Sequence, residues 1–131
     1  MSEDVSIEVL RIHEDDRGSL VEPVTTEQLA AQRNVHLVLI EPGAIRGNHY
    51  HLKGSEIFTL IGPALVRTRR GAELKDTIVP ERQAYRFTMP PKVSHAIQNT
   101  GTSPAVLVAF NTEVHDPEHP DVVADKILPL P

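Results

Sequence analysis

Apolar residues recur along this chain in short alternating or continuous runs, cut by glycine and proline every few positions. That pattern predicts strands rather than helices. Strands are expected near Val5 to Ile12, Ser19 to Val24, Val35 to Glu41, Gly47 to His51, Glu56 to Ile61, Ala64 to Arg69, Lys75 to Val79, Ala84 to Thr88, His95 to Asn99 and Ala105 to Asn111. Eight to ten short strands at this spacing indicate an all-β sandwich or barrel. Val35 to Ile40 and Ala105 to Phe110 are apolar on both faces, as interior strands would be. Helical periodicity is confined to Thr26 to Gln32, where Thr26 is placed to cap and Leu29, Ala30 and Ala31 favour a helix. The stretch from Asp116 to Pro131 carries four prolines and is expected to wrap the surface as an irregular arm. No repeat, linker or low-complexity tract divides the chain, so residues 1–131 are expected to form one domain.

Composition narrows the chemistry. Thirteen Lys and Arg against 18 Asp and Glu give a net charge of −5, which argues against nucleic acid as the main partner. The absence of cysteine removes disulfides, thiolate nucleophiles and cysteine-type zinc sites. No apolar run approaches the roughly 20 residues of a membrane span, and the acidic Met1-Ser2-Glu3-Asp4 is no signal peptide. The expectation is a cytoplasmic protein with neither a membrane nor a nucleic-acid partner.

Seven histidines are many for this length. His49 and His51 are two apart, which on a strand puts both imidazoles on one face. Four residues separate His51 from Glu56, a hairpin-loop length that would place the carboxylate opposite His51. His95 follows on a further strand after Pro90-Pro91. Three neutral imidazoles and one carboxylate suit a borderline divalent ion such as Mn, Fe, Co, Ni or Zn. Four such ligands on an octahedral ion leave positions open for water or substrate. A surface cross-strand His–Glu pair would show the same local spacing, so the wider pattern decides.

That pattern resembles a known family. Gly43-(five residues)-His49-x-His51-(four residues)-Glu56-(five residues)-Gly62 closely resembles the first cupin motif, and Pro90-(four residues)-His95-(three residues)-Asn99 resembles the second. Ala84 and Lys92 stand where the second motif usually has glycine. The resemblance covers about residues 5–115 and implies a single cupin jelly-roll β-barrel with one short helix, followed by an arm over residues 116–131. It also implies a divalent metal (Zn, Ni, Mn or Fe) held by His49, His51, Glu56 and His95.

Two further stretches narrow the likeness. Asp16-Arg17-Gly18-Ser19-Leu20-Val21-Glu22 resembles a segment of deoxysugar-nucleotide 3,5-epimerases, with Leu20 in an aromatic's place, and Arg46-Gly47-Asn48-His49 resembles their Arg-Gly-x-His. There the arginine meets the nucleotide diphosphate and the histidine is the base. Those enzymes usually carry Gln at the position of His51 and need no metal. The cupin half of bifunctional capsule-sugar enzymes acting on UDP-4-keto-6-deoxy-hexosamines is more similar. It shares the Arg-Gly-Asn-His-aromatic-His string, a Glu at Glu56, and a stretch like Phe110-Asn111…Asp116…Pro120-Asp121. Sugar-nucleotide 3,4-ketoisomerases are more distant. The resemblance therefore implies an epimerase or isomerase of polysaccharide or deoxysugar biosynthesis, acting on a 4-keto-deoxyhexose nucleotide. It implies Arg17, Glu22 and Arg46 as substrate-binding residues, and a homodimer, since related barrels exchange N-terminal strands.

Removing a proton beside a ketone requires the developing enolate to be stabilised. A divalent ion polarising the ketone and a base such as His49 would do this together. A ligating His49 has no lone pair left for a proton, so His49 as ligand and His49 as base stay open at this point. Tyr85, or Tyr50 if it faces inward, is placed to return a proton from the opposite ring face. Two other readings stay open: a metal-dependent dioxygenase, and a cupin that binds a sugar or metabolite without catalysis. His115 and His119 share helix-like spacing, but Pro117 and Pro120 break a helix there and make a surface loop. Arg67, Arg69 and Arg70 read as a solvated hairpin turn. His13 and His36 are single and carry no signal.

Overall fold

The computed structural model of the chain describes residues 4–129. Met1, Ser2 and Glu3, on which part of the targeting expectation rests, lie outside the described residues, as do the last two positions of the arm. The elements in chain order are β1 (Ser6–Leu10), β2 (His13–Asp15), β3 (Gly18–Leu20), α1 (Thr26–Ala30), β4 (Asn34–Ile40), β5 (Ile45–His51) and β6 (Glu56–Ile61). They continue with β7 (Ala64–Arg70), β8 (Glu73–Val79), β9 (Ala84–Met89), β10 (Ser94–Asn99), β11 (Ala105–Asn111) and β12 (Val122–Ala124). Two five-stranded antiparallel sheets result, ordered β1-β9-β6-β11-β4 and β12-β5-β10-β7-β8, with β2 and β3 forming a separate ribbon. This is the expected all-β jelly roll with one short helix. The two sheets face each other with open edges instead of closing into a single ring, since no ladder joins them among the described residues.

Between β4 and β11 nearly every connection crosses from one sheet to the other; only β7 and β8 form a hairpin within one sheet. Alternate residues of these strands therefore line the space between the sheets. Phe58, Leu60, Val66, Val79, Phe87, Met89, Ile97 and Leu107 fill that space. The Phe58 and Phe87 rings stack at 4.9 Å, an offset aromatic contact in a region shielded from water. A second, smaller core lies on the outer face of the other sheet. There Ile127 and Leu128 of the arm are buried against Ala96, with Ile45 and Leu65 beside them.

Several sequence expectations need correcting. Val35 to Ile40 and Ala105 to Phe110 both read as interior strands; β11 is one, paired with β6 and β4, but β4 is an edge strand. Its outward residues Val35, Leu37 and Leu39 stay exposed, Leu37 at 77 %. Apolar alternation cannot distinguish a strand covered on both faces from one that presents an apolar face outward. The helix is capped by Thr25, not Thr26, and ends at Ala30. Thr25 and Gln28 form a reciprocal capping box, the three-residue spacing that fixes a helix start. The stretch after Asp116 is not wholly irregular, since β12 pairs with β5 through Val122–His51, Val123–Tyr50 and Ala124–His49. Three residues flanked by prolines are too few for periodicity to reveal. The basic trio is held in ion pairs, Arg67 with Asp76, Arg69 with Asp125 and Arg70 with Asp4.

Candidate metal centre

Strand β5 begins the site with an irregularity. Opposite β10, His49 pairs with His95 and Gly47 with Ala96, so Asn48 is an extra residue in β5. Such a bulge re-aims the side chains that follow it. Gly47 sits at φ 94° and Asn48 at φ 59°. A Cβ on Gly47 would lie 2.7 Å from the His95 carbonyl oxygen, so glycine is required by both conformation and space. The Asn48 side chain turns outward, accepting from the N–H groups of Ile127 and Leu128 and donating to the Leu128 carbonyl at 2.7 Å. The arm thereby locks the bulge that sets His49 beside His95.

Sequence spacing suggested that His51 and Glu56 meet across a β5–β6 hairpin. The structure corrects this: β5 and β6 belong to different sheets. His51 and Glu56 meet because the sheets face each other, with residues 52–55 bridging the gap. Several hydrogen bonds pin that bridge. The Asp121 carboxylate accepts from the backbone N–H of Lys53 at 2.9 Å and of Gly54 at 2.8 Å. Thr112 Oγ1 accepts from Ser55 N–H at 3.0 Å, and the Lys92 N–H donates to the His51 carbonyl at 2.7 Å. Lys92 holds φ 68°, so the backbone keeps the left-handed turn that glycine normally supplies at this point of the motif. A Cβ on Gly54 would fall 2.3 Å from Asn111 Oδ1, so any side chain there would push Asn111 off the Glu113 N–H it accepts.

The four proposed ligands converge. Their ligand atoms all lie within 4.8 Å of one another. His51 Nε2 stands 2.7 Å and His95 Nε2 2.9 Å from the same oxygen, Glu56 Oε2. His95 is 2 % exposed and its Nδ1 faces the Val93 carbonyl at 3.2 Å. The His49 ring stands edge-on to both His51 and His95. Burial opposes charge on Glu56, but hydrogen bonds from His51 and His95, and their charges, outweigh it and hold the carboxyl well below its usual range. Burial, then the charge of His95, pushes His49 down to about 4. An ionised carboxylate with a neutral imidazole beside it is a donor set that fits a borderline divalent cation.

The other predicted residues distribute unevenly. Arg46 pairs with inward-facing Ile97, so it lies on the imidazole face at the open end of β5, and its charge acts on His49. Tyr50 alternates with His49 and His51, pairs with Val123, and so points away from the centre. Tyr85 is inward but pairs with Leu60. That places it four residues along the strands from the Glu56–Met89 pair, about 13 Å away, with Phe58 and Phe87 between. Arg17 is at the tip of the β2–β3 ribbon, 89 % exposed and paired with Asp15. Glu22 is exposed on the segment that crosses the outer face of the first sheet, where the Pro23 carbonyl accepts from Thr59 and Arg86. Within this chain Arg17, Glu22, Tyr50 and Tyr85 are not brought to the histidines.

Residues without sequence signal are. A cavity of about 160 Å³ opens beside His51 and Glu56, lined also by Asn34, His36, Asn111 and His115. The His36 and His115 rings meet edge to face at 6.1 Å, although 79 positions apart in sequence. Nothing local marks such a pair, whereas Phe110, Asn111, Asp116, Pro120 and Asp121 of the same lining belong to the stretch likened to the capsule-sugar enzymes.

The sequence pattern described as the polysaccharide biosynthesis C-terminal domain matches residues 13–123. The UDP-2-acetamido-2,6-beta-L-arabino-hexul-4-ose reductase of Pseudomonas aeruginosa PA103 is 33% identical over 117 residues, covering 86% of this chain and 30% of that protein. The capsular polysaccharide assembling protein CapF of Staphylococcus aureus superposes with a TM-score of 0.67 at 28% identity, covering 89% of this chain and 32% of CapF. The present chain thus spans about a third of the length of these two proteins. QdtA, a sugar 3,4-ketoisomerase from Thermoanaerobacterium thermosaccharolyticum solved with TDP, gives a TM-score of 0.72 at 17% identity, covering 99% of this chain and 94% of that one. At that identity the likeness is one of fold.

Proposed function

Because the chain belongs to the polysaccharide biosynthesis C-terminal domain family, we propose that it is a metal-binding cupin acting as an epimerase or isomerase on a nucleotide-linked 4-keto-deoxyhexose. The observation that carries this reading is the convergence of His49, His51, Glu56 and His95 within 4.8 Å beside an open cavity. A divalent cation bound there supplies Lewis-acid polarisation of a ketone. The chain's own residues do the rest. Arg46, on the same face at the open end, is placed for a diphosphate, which a guanidinium grips bidentately. The cavity beside His51 and Glu56 sets the acids Glu113, Asp116 and Asp121 among apolar Phe110, Val114 and Val122, a lining that would repel a diphosphate and suits a neutral sugar ring with an apolar face.

His49 is neutral at physiological pH, so its lone pair is available either to the cation or to the proton on the carbon beside the ketone. Both roles need the ring deprotonated, and burial secures that. A His49→Asn variant separates them: as base it keeps the metal and loses proton exchange, as ligand it loses both. A homodimer belongs to the same reading, supported by the exposed outward row of Val35, Leu37 and Leu39 on the free edge strand.

The test is proton exchange. Metal-loaded protein, incubated in deuterium oxide with a UDP- or dTDP-linked 4-keto-6-deoxyhexose, is expected to place deuterium on the carbon beside the ketone. UDP or dTDP is also expected to raise the melting temperature, since a ligand of the native state stabilises it. No exchange above a protein-free control, with no thermal shift at millimolar nucleotide, would sink the proposal.

A further inference from the structure

We infer that Asp121, on the C-terminal arm, is the positioning residue for His51: when a cation takes the Nε2 lone pair, the Asp121 carboxylate accepts the hydrogen bond that Nδ1–H donates and so fixes that tautomer. This rests on the metal reading given above. The His51 ring is clamped between two acids. Glu56 Oε2 lies 2.7 Å from Nε2, and Asp121 Oδ2 lies 3.7 Å from Nδ1, across the ring. The four-ligand centre is on the Glu56 side, so Asp121 is not itself a ligand there.

Chemistry selects Asp121 over its neighbours. A histidine that ligates through Nε2 carries its proton on Nδ1 and needs an acceptor for it. The other group near Nδ1 is Asn111 Nδ2, at 3.5 Å, and an amide nitrogen only donates. Asn111 cannot turn its oxygen inward freely, because Oδ1 accepts the Glu113 N–H at 2.8 Å. The two neighbours therefore favour opposite tautomers. Asn111 suits a ring with its proton on Nε2, and Asp121 suits a ring with its proton on Nδ1.

Asp121 is also fixed from behind. Oδ1 accepts from Lys53 N–H and Oδ2 from Gly54 N–H, while its carbonyl accepts from Leu52 N–H at 2.8 Å. One residue of the arm thus holds Leu52, Lys53 and Gly54, three of the four residues between His51 and Glu56. At 3.7 Å the separation from Nδ1 is longer than a hydrogen bond, so it must shorten when a cation is bound.

The experiment compares zinc affinity, by competition with a chromophoric chelator, for the full chain and for Asp121→Asn. The variant keeps the shape and loses the charged acceptor. Its zinc affinity is expected to fall ten- to a hundredfold, the usual consequence of removing a carboxylate behind a ligating histidine. Long-range ¹⁵N–¹H spectra of the zinc-loaded chain are expected to show a downfield, hydrogen-bonded Nδ1 proton on His51 that disappears in the variant. A lowered melting temperature with unchanged zinc affinity would mean that Asp121 only ties down the loop, and overturns the inference. If Asp121→Asn does not fold, the spectrum of the unaltered chain decides, and lack of a bonded Nδ1 proton overturns it. Failure of the unaltered chain to bind zinc, nickel, manganese or iron removes the metal reading, and this inference with it.

Discussion

His49 is the residue whose charge state the fold controls most usefully. Its own burial and the neighbouring His95 push it down to about 4, from 6.5 for a free ring. In the unfolded chain the ring takes a proton near 6.5; in the folded chain it resists until about 4. Across that window the unfolded state binds more protons, so stability is lost as pH falls from 6.5 towards 4 and kept above 6.5. Glu56 behaves oppositely in sign of charge but shares the direction: its lowered value contributes stability at neutral pH that is lost in acid. Melting curves in the presence of a chelator, stepped from pH 7 to pH 4, isolate the histidine. The unaltered chain is expected to lose more melting temperature between pH 6.5 and pH 4 than His49→Asn. Equal losses would contradict the burial argument.

At the scale of elements, the informative strand is β4. Its inner residues His36, Val38 and Ile40 face the core or the cavity, while Val35, Leu37 and Leu39 face outward and exposed. An exposed apolar row on a free edge invites association, and a second copy is the occupant the proposed dimer requires. Leu37→Lys is therefore expected to shift the chain from dimer to monomer in sedimentation velocity, with its circular dichroism unchanged. A monomeric unaltered chain, or a variant that remains dimeric, would contradict that use of β4. The same strand shows where sequence reasoning stops. Short apolar runs bounded by Gly and Pro identified β4 and its neighbour β11 as strands, and β6 and β11 at their observed bounds, because that pattern is local. Which strand pairs with which is not local. The expected hairpin between His51 and Glu56 failed for that reason, although both side chains still reach one centre through opposed sheets.

Across the whole molecule, the convergence of His49, His51, Glu56 and His95 was readable because two motifs carry them in fixed spacing, while its supports were not. Asn48 contacts residues 79 and 80 positions away, and Asp121 contacts residues 67 and 68 positions away. Those contacts depend on how the arm crosses the second sheet, burying Ile127 and Leu128 on its outer face, and periodicity holds no record of it. Their common result is a centre built from both sheets and braced by the arm. Tyr85 and Arg17 show the reverse case. The need for a proton donor pointed to the first and motif likeness to the second, yet the fold places Tyr85 along the core and Arg17 at a ribbon tip.

Calorimetric titration of the metal-stripped chain with Zn²⁺ or Ni²⁺ meets the central claim head-on. A single ion is expected to bind each chain, with binding abolished or weakened at least a hundredfold in Glu56→Gln, whose carboxamide replaces the charge shared by His51 and His95. An unaltered chain that takes up no divalent ion, or a Glu56→Gln chain that binds as tightly, would contradict the account.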